Sequence, residues 1–195
     1  MATREAQRLA TRARLFDAAL AEIGRCGLAG TDVAAIASAV GVARGTFYFH
    51  FPTKEHVLVE LERTEEVEIV RRLAERRDQR GDLIAVLTDL VQHVIAAEER
   101  LGPVVFRDML ALHFSTTRPV EEEAGAHPLA GFLVTAIAGA QAAGQVAADA
   151  DAGELAVIFL TGLFALLATG ITESDFRAKL LDRYVQTIGH GMEIR

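Results

Sequence analysis

The chain has 195 residues, 51% of them hydrophobic, which is enough for one larger domain or two small ones around a buried core. Its formal net charge of −7 argues, on its own, against nucleic-acid binding. The single cysteine, Cys26, excludes an intrachain disulfide and favours a reducing cytoplasm.

The charge is unevenly distributed along the chain. Residues 1–55 contain seven Lys or Arg and five Asp or Glu, a balance of +2, whereas residues 56–195 contain thirteen and twenty-two, a balance of −9. A mildly basic end on an acidic body is compatible with DNA binding through that end only. Four arginines contribute to it, either as a solvated helix face or as an arm that contacts phosphates: Arg4, Arg8, Arg12 and Arg14.

The first predicted helix spans roughly residues 4–26, and Gly27 is placed to end it. Its predicted inner face is Ala13, Phe16, Leu20 and Ile23. A second helix follows, with Thr31 as the predicted N-cap and Asp32 in its first turn. Its apolar positions recur at helical spacing: Val33, Ile36, Ala37 and Val40.

A tight turn and a third helix complete a helix-turn-helix pattern. Gly41 suits a sharp helix exit, because glycine accepts a left-handed backbone. The third helix runs from 43 to 51, and Phe47 and Phe51, four apart, face the core. Pro52 ends it, and Thr53 can cap the next helix.

The third helix has the chemistry of a DNA-reading element. Arg44 stands at its N-terminal end, where it can reach the acceptor edge of guanine. Gly45 adds no bulk, so the helix can lie close to the groove. Thr46, Tyr48 and His50 can hydrogen-bond phosphates, and Lys54 adds a cation at the next helix start.

The segment TDVAAIASAVGVARGTFYFHFPTKE (31–55), with RLFDAALAEIGRCG (14–27) before it, resembles the DNA-binding domain of the tetracycline-repressor (TetR) family. The resemblance implies an all-α homodimer whose two motifs bind a palindromic operator and whose C-terminal domain holds a small-molecule inducer. It also implies a DNA-binding domain at 1–53 and a ligand-binding and dimerisation domain at 54–195. The positions that match family DNA contacts are Thr31, Ala43, Arg44, Gly45, Thr46, Tyr48, Phe49, His50 and Lys54.

The remaining chain reads as helical throughout, giving about nine helices in all. The fourth helix spans about 54–79, with an apolar line at Val57, Leu61, Thr64, Val67, Val70 and Ala74. Asp82 caps the fifth, Pro103 opens the sixth and Pro128 opens the seventh, after a predicted loop at 115–127. Asp151 caps the eighth helix, and the ninth runs from about 174 to 190.

The apolar run at 155–171 is short for a membrane span, and burial against protein partners is the preferred interpretation. We expect the last two helices to form a four-helix dimer interface. Its predicted residues are Phe159, Gly162, Leu163, Leu166, Leu180, Tyr184 and Ile188. If the chain holds a small, mostly apolar inducer, the candidate contacts are His93, Phe106, Met109, Leu110 and His113, although core packing is the simpler explanation for each of them.

No constellation of residues recommends an enzyme, a metal site or a cofactor, since the six histidines are scattered and no phosphate-binding glycine loop is present. Two functions from different classes therefore remain. The first is a repressor in the cytoplasm that is released from its operator by an inducer. The alternative is a helical adaptor that keeps the motif as a packing unit and binds proteins instead of DNA.

Overall fold

The computed structural model describes residues 3–75, 82–119, 127–171 and 173–193, and these form nine α-helices. Their bounds are α1 Arg4–Gly30, α2 Val33–Val40, α3 Arg44–His50, α4 Glu55–Glu75, α5 Leu83–Leu101, α6 Pro103–His113, α7 Pro128–Ala142, α8 Ala152–Ala168 and α9 Ser174–Met192. Within those residues the only β-type pairing is an isolated bridge between Val146 and Glu193. The predicted all-α fold is confirmed.

The chain divides into two compact units. The first comprises Met1–Glu62 and Leu101–Val120, and the second comprises Arg63–Arg100 and Glu121–Arg195. The first unit therefore contains α1 to α3, the start of α4, and α6. The segment predicted as the DNA-binding domain, 1–53, lies within it.

Helix α1 bends at Gly27, where φ is 75° and ψ is 163°, and a last helical turn follows as far as Gly30. The buried stripe of α1 is Leu15, Ala19 and Ile23, each 0% exposed. The predicted inner face was therefore partly wrong, because Ala13 is exposed. Apolar residues lie on several sides of α1. The helical spacing therefore fits the predicted face and the neighbouring buried face equally well.

Helix α2 begins one residue later than predicted. Its N-cap is Asp32, whose Oδ1 accepts a hydrogen bond from the amide of Ala34 at 2.8 Å. Thr31 is not the cap, because its hydroxyl donates to the carbonyl of Gly27 at 2.8 Å. Both residue types cap helices well, so the sequence could not separate these adjacent positions. Gly41 ends α2 with φ 74°, as predicted.

Helix α4 departs from its predicted register after the first turns. Val57 and Leu61 are buried, but Val67 is 52% exposed. The buried side further along includes two glutamates, Glu62 and Glu66, each 5% exposed. The predicted apolar line of α4 did not include these positions, because glutamate is rarely buried without a partner.

Three helices of the second unit begin as the sequence predicted. Asp82 caps α5 by accepting a hydrogen bond from the amide of Ala85 at 2.7 Å. Pro128 occupies the first turn of α7, and the side chain of Asp151 caps α8 by accepting from the amides of Gly153 and Glu154. The predicted loop is non-helical at 115–119 and at 127, and residues 120–126 lie outside the described part.

Candidate nucleic-acid interface

Two buried rings anchor α3 to the first unit. Phe47 and Phe51 are 0% and 1% exposed, and their ring centroids are 5.6 Å apart. The opposite side of this short helix is exposed, with Tyr48 at 42% and Phe49 at 72%. The aromatic residues of α3 thus divide into an anchor and an outward surface, as helical spacing predicted.

The outward surface of α3 consists of aromatic groups and hydrogen-bond donors. The guanidinium of Arg44 is exposed, with Nη2 3.3 Å from the hydroxyl of Tyr48 and its central carbon 5.6 Å from the centre of that ring. Thr46 and His50 are half-buried at the border of the surface. Since α3 contains no acidic residue, nothing in this helix repels a polyanion.

The fold of the described chain does not require a glycine at position 45. A Cβ built there has no atom within 4 Å, and the backbone is helical. Glycine in a helix weakens it relative to alanine. The space around Gly45 is therefore on the outside of the molecule, where an external partner can approach the backbone closely. Ala43, just before α3, is also exposed and provides no side-chain cap.

The surroundings of His50 favour its neutral form by lowering its pKa. Burial lowers its pKa below the usual value of 6.5, and the positive charges of Arg12 and Arg8 lower it further. Its ring stands edge-on to Phe49, with centroids 5.1 Å apart. A neutral imidazole at the border of the surface can donate one hydrogen bond and accept another.

Lys54 has a different environment from the one we expected of a phosphate contact. Its ammonium donates to the carbonyls of Leu28 at 2.6 Å, Ala29 at 3.2 Å and Thr31 at 3.2 Å. These three bonds match the three donors of an ammonium group. Thr31 is also turned inward, at 7% exposed. In this conformation neither side chain offers a free group to DNA.

The N-terminal arginines are partly committed to the fold. Arg12 lies over the ring of Phe51, 4.6 Å from its centre, and makes a two-bond ion pair with Glu60. Arg14 donates to the carbonyl of Val40 at 2.8 Å. An arm that contacts phosphates would thus depend on Arg4 and Arg8, which are exposed.

The five predicted ligand contacts are packed or paired in this structure. Phe106, Met109 and Leu110 are buried in the first unit, at 2%, 5% and 2% exposed. His93 belongs to the second unit, and its Nδ1 lies 2.7 Å from the carbonyl oxygen of Asp89. Nδ1 of His113 lies 2.7 Å from Oε1 of Glu62.

Glu62 is the centre of a buried polar cluster that the sequence did not reveal. Its other carboxylate oxygen accepts from Arg118 at 2.5 Å. Burial alone raises the pKa of Glu62, but the hydrogen bonds and charges of His113 and Arg118 outweigh it, and the net pKa lies below the usual 4.5. The carboxylate is therefore ionised at neutral pH and ties α4 to the end of α6.

Two adjoining open clefts lie in the second unit, with volumes of about 260 Å³ and about 290 Å³. They share Asp82, Leu83 and Gln145 as lining residues, and Phe132 on α7 contributes to the first. None of the five predicted ligand residues lines either cleft.

Part of the dimer interface predicted on α8 and α9 is buried inside the chain itself. Phe159 and Leu163 are each 0% exposed within the chain's own core, so they have no surface left for a second subunit. A Cβ at Gly162 would lie 2.4 Å from the hydroxyl oxygen of Tyr184. Gly162 therefore makes room for α9 of the same chain, whereas we expected it to admit a partner helix.

Tyr184 occupies that space and bonds across to α8. Its hydroxyl donates to the carbonyl of Phe159 at 2.6 Å, and burial raises its pKa to about 12. The other predicted interface residues, Leu166, Leu180 and Ile188, are half-buried. The sequence missed three strongly exposed apolar side chains: Val157 at 60%, Ile158 at 55% and Phe176 at 52%.

The described residues contain neither a membrane-spanning helix nor a metal-binding cluster. None of their helices combines the length and apolarity that crossing a bilayer requires. Among the same residues, no group of three or more His, Cys, Asp or Glu side chains is arranged to hold a metal ion.

The described residues form an all-α protein with an N-terminal helix-turn-helix, α2 to α3, whose last helix has an exposed outer surface. Residues 15–61 match the family described as bacterial regulatory proteins, tetR family. A segment of 94 residues is 34% identical to the HTH-type transcriptional regulator AcrR of Shigella flexneri. In this N-terminal part the chain is therefore similar to the TetR family. The match to AcrR covers 46% of this chain and 44% of that protein, less than half the length of either.

Two solved structures are similar over nearly the whole chain. FadR of Thermus thermophilus, a TetR-family repressor in complex with lauroyl-CoA, has a TM-score of 0.78 at 21% identity and covers 94% of this chain and 96% of its own. FadR of Bacillus subtilis, in complex with stearoyl-CoA, has a TM-score of 0.65 at 16% identity, covering 93% and 99%. At these identities the similarity concerns the fold alone.

Proposed function

We propose that this protein is a transcriptional repressor that binds a palindromic operator as a homodimer and is released by a small, mostly apolar ligand. One observation carries the DNA-binding part. In the segment that matches the family, α3 has an exposed surface without acidic residues, and Phe47 and Phe51 anchor the helix from its buried side.

The residues of α3 contact different parts of the DNA according to their chemistry. Arg44, exposed at the N-terminal end, reads the O6 and N7 acceptors of a guanine. Thr46, Tyr48 and His50 hydrogen-bond phosphates and fix the register of the helix in the groove. Phe49, 72% exposed, contacts the methyl group of a thymine or the edge of a sugar.

The exposed apolar side chains of α8 and α9 support the homodimer. Val157 and Ile158 leave more than half of their surface in water, which a second copy of the same helices would cover. A two-fold dimer places two identical motifs on two half-sites, which gives a palindromic operator.

The ligands of two structures with a similar fold suggest which compounds to screen first. The two FadR proteins were solved with lauroyl-CoA and stearoyl-CoA. The clefts of the second unit, at about 260 Å³ and about 290 Å³, are near the lower limit of roughly 300 Å³ for ligand pockets. A long acyl chain would therefore require the unit to open, and we would screen short and long acyl thioesters in parallel.

The test begins with selection of bound sequences from a random duplex pool, followed by titration of the recovered site. Arg44→Ala should weaken the preference for one base pair in each half-site by about 1–3 kcal/mol. The matched control is Arg71→Ala, which removes the same charge from an exposed position of α4. It should leave base preference unchanged.

Two results would count against the proposal. Equal losses for Arg44→Ala on selected and random duplexes would remove its role in base reading. No duplex binding by the intact protein, together with a stable complex with a different protein, would favour an adaptor. For the ligand, release of DNA by none of the thioesters or other apolar compounds screened would contradict an inducer-controlled repressor.

A further inference from the structure

The junction between α1 and α2, residues 27–31, is held from two sides by charged side chains. From α6, Oδ2 of Asp108 accepts a hydrogen bond from the amide of Leu28 at 2.6 Å. From the residue just before α4, the ammonium of Lys54 donates to the carbonyls of Leu28, Ala29 and Thr31 at 2.6 to 3.2 Å. Leu28 is therefore bonded to both, by its amide to Asp108 and by its carbonyl to Lys54.

The shape of the junction depends on a glycine. Gly27 has φ 75°, a conformation that other residues adopt only with strain. A Cβ there would also lie 3.2 Å from Oδ2 of Asp108, so the absence of a side chain lets the carboxylate approach the backbone. The hydroxyl of Thr31 closes the junction by donating to the carbonyl of Gly27 at 2.8 Å.

These contacts satisfy backbone groups that a helix end leaves without partners. At a helix end the last carbonyls lack their usual amide donors, and the carbonyl of Leu28 accepts only one long backbone bond, from the amide of Thr31 at 3.3 Å. The break at Gly27 likewise takes the amide of Leu28 out of the regular helical pattern. Hydrogen bonds to ionised groups are shorter and stronger than those between neutral groups. Asp108 is mostly shielded, with 20% of its side chain exposed, so water competes weakly for this bond.

The junction leads directly into the helix-turn-helix. Asp32, the N-cap of α2, is the next residue after it, and α2 in turn packs against α3. A junction that moved would change where α2 begins and hence the support beneath the reading helix. Since Asp108 lies on α6, the geometry of α6 contributes directly to the start of the motif.

We propose that Asp108 and Lys54 are positioning residues for DNA binding, which fix the α1–α2 junction and thereby hold the reading helix in one orientation without contacting DNA. This inference rests on the proposed function and deepens it. It also assigns Lys54 a role inside the protein in place of the phosphate contact that the sequence suggested.

The first measurement needs no DNA. Amide hydrogen exchange of the full-length protein should show Leu28 exchanging at least about tenfold faster in Asp108→Ala than in the wild type, because the amide loses its acceptor. Asp108→Asn keeps a carbonyl oxygen at the same place and should restore most of the protection. Amides of α8, which belongs to the other unit, serve as the internal control and should not change. Unchanged exchange at Leu28 in Asp108→Ala would overturn the proposal, whatever the protein binds.

The second measurement separates positioning from phosphate contact. Asp108→Ala and Lys54→Met should each lower affinity for the selected operator several-fold, with Asp108→Asn close to the wild type. The slope of log affinity against log salt should stay the same, since loss of one phosphate contact per subunit would reduce it by about 1 for each subunit. A reduced slope for Lys54→Met would make Lys54 a phosphate contact after all.

The outcomes distinguish the two proposals from each other. If the wild type binds no duplex, the proposed function fails, and so does the positioning role, even where exchange shows the junction to be held. If the wild type binds, and Asp108→Ala exposes Leu28 without changing operator affinity, the junction is merely structural and the positioning role is wrong while the proposed function stands.

Discussion

The exposed surfaces of α3 and α8 both carry large apolar side chains, but their neighbours differ. On α3, Phe49 and Tyr48 are 72% and 42% exposed, and Arg44 lies within hydrogen-bonding distance of the tyrosine hydroxyl. On α8, Val157 and Ile158 are 60% and 55% exposed, and both are purely aliphatic.

The difference shows that exposed apolar area alone does not identify a partner. Aromatic rings mixed with donors suit nucleic acid, where base edges and phosphates offer acceptors. Aliphatic side chains without donors gain most from another apolar protein surface, because they can only be removed from water. We therefore propose DNA as the partner of α3 and a second copy of the chain as the partner of α8.

The largest effect should follow from a charge placed on the α8 surface. Val157→Asp would bury an unpaired carboxylate in each half of a dimer, at a cost of about 3–5 kcal/mol, and should weaken dimerisation on the order of 100-fold or more. Sedimentation velocity over a range of concentrations measures this. Operator affinity should fall with it, because each motif would then bind alone.

The matched control for this substitution is Val67→Asp. Val67 is a similarly exposed valine on α4, at 52%, and the charged variant should remain dimeric. A Val157→Asp protein with the dimerisation constant of the wild type would break the assignment of α8. Dissociation by both variants would point to a general loss of folding instead.

Gly45→Ala should produce two effects of opposite sign. The added Cβ meets no atom in the free protein and favours the helix, so the free energy of unfolding should rise by about 0.5–1 kcal/mol. Operator affinity should fall by roughly tenfold if the backbone at this position approaches DNA closely. Urea unfolding and anisotropy titration measure the two effects.

The control here is Gly131→Ala on α7, where a Cβ also meets no atom. It should stabilise the protein without changing DNA binding. Unchanged operator affinity in Gly45→Ala would mean that α3 does not approach DNA at this point.

The smallest effect concerns His50 and pH. In the free protein burial lowers the pKa of His50 below 6.5, so at pH 7 it is neutral. A nearby phosphate would raise that pKa, and DNA binding would then take up a proton. Affinity should rise as pH falls through the raised pKa of the bound state towards the lower pKa of the free protein, by at most about tenfold per pH unit for each His50.

His50→Gln keeps a polar group but cannot titrate, so it should lose this dependence at constant salt. If the rise at low pH persists in the glutamine variant, the responsible group lies elsewhere. Anisotropy titrations between pH 5.5 and pH 8 provide the measurement.

Local signals in the sequence were sufficient for the core of α3. Phe47 and Phe51 are four apart, Gly41 permits the left-handed backbone of the turn, and Pro52 limits the helix. Each of these constraints acts within a few residues, so the predicted anchor and outward surface agree with the structure.

Contacts between distant residues could not be predicted in the same way. From the sequence we predicted that Lys54 contacts phosphate, yet its ammonium donates to carbonyls 23 to 26 positions earlier. Glu62 was not among the predicted inner positions of α4, and its partner Arg118 lies 56 positions later. Charged side chains suit water, DNA or an internal partner equally well, and only the tertiary fold selects among them.

The dimer residues of α8 show a second reason for failure. This helix is apolar on nearly every side, so its periodicity does not indicate which side faces the core. Phe159 and Leu163 proved to be internal, whereas Val157 and Ile158 lie outside. The position of α9, which brings Tyr184 against Gly162, decides between these sides.

The placement of the two tyrosines makes each unit observable without a label. The chain has two tyrosines and no tryptophan, so no stronger fluorophore hides their emission. Tyr48 lies on the exposed surface of α3 in the first unit, and Tyr184 is half-buried between α8 and α9 in the second. Replacing either one by phenylalanine leaves a single intrinsic probe that follows DNA docking or the integrity of the α8–α9 pair.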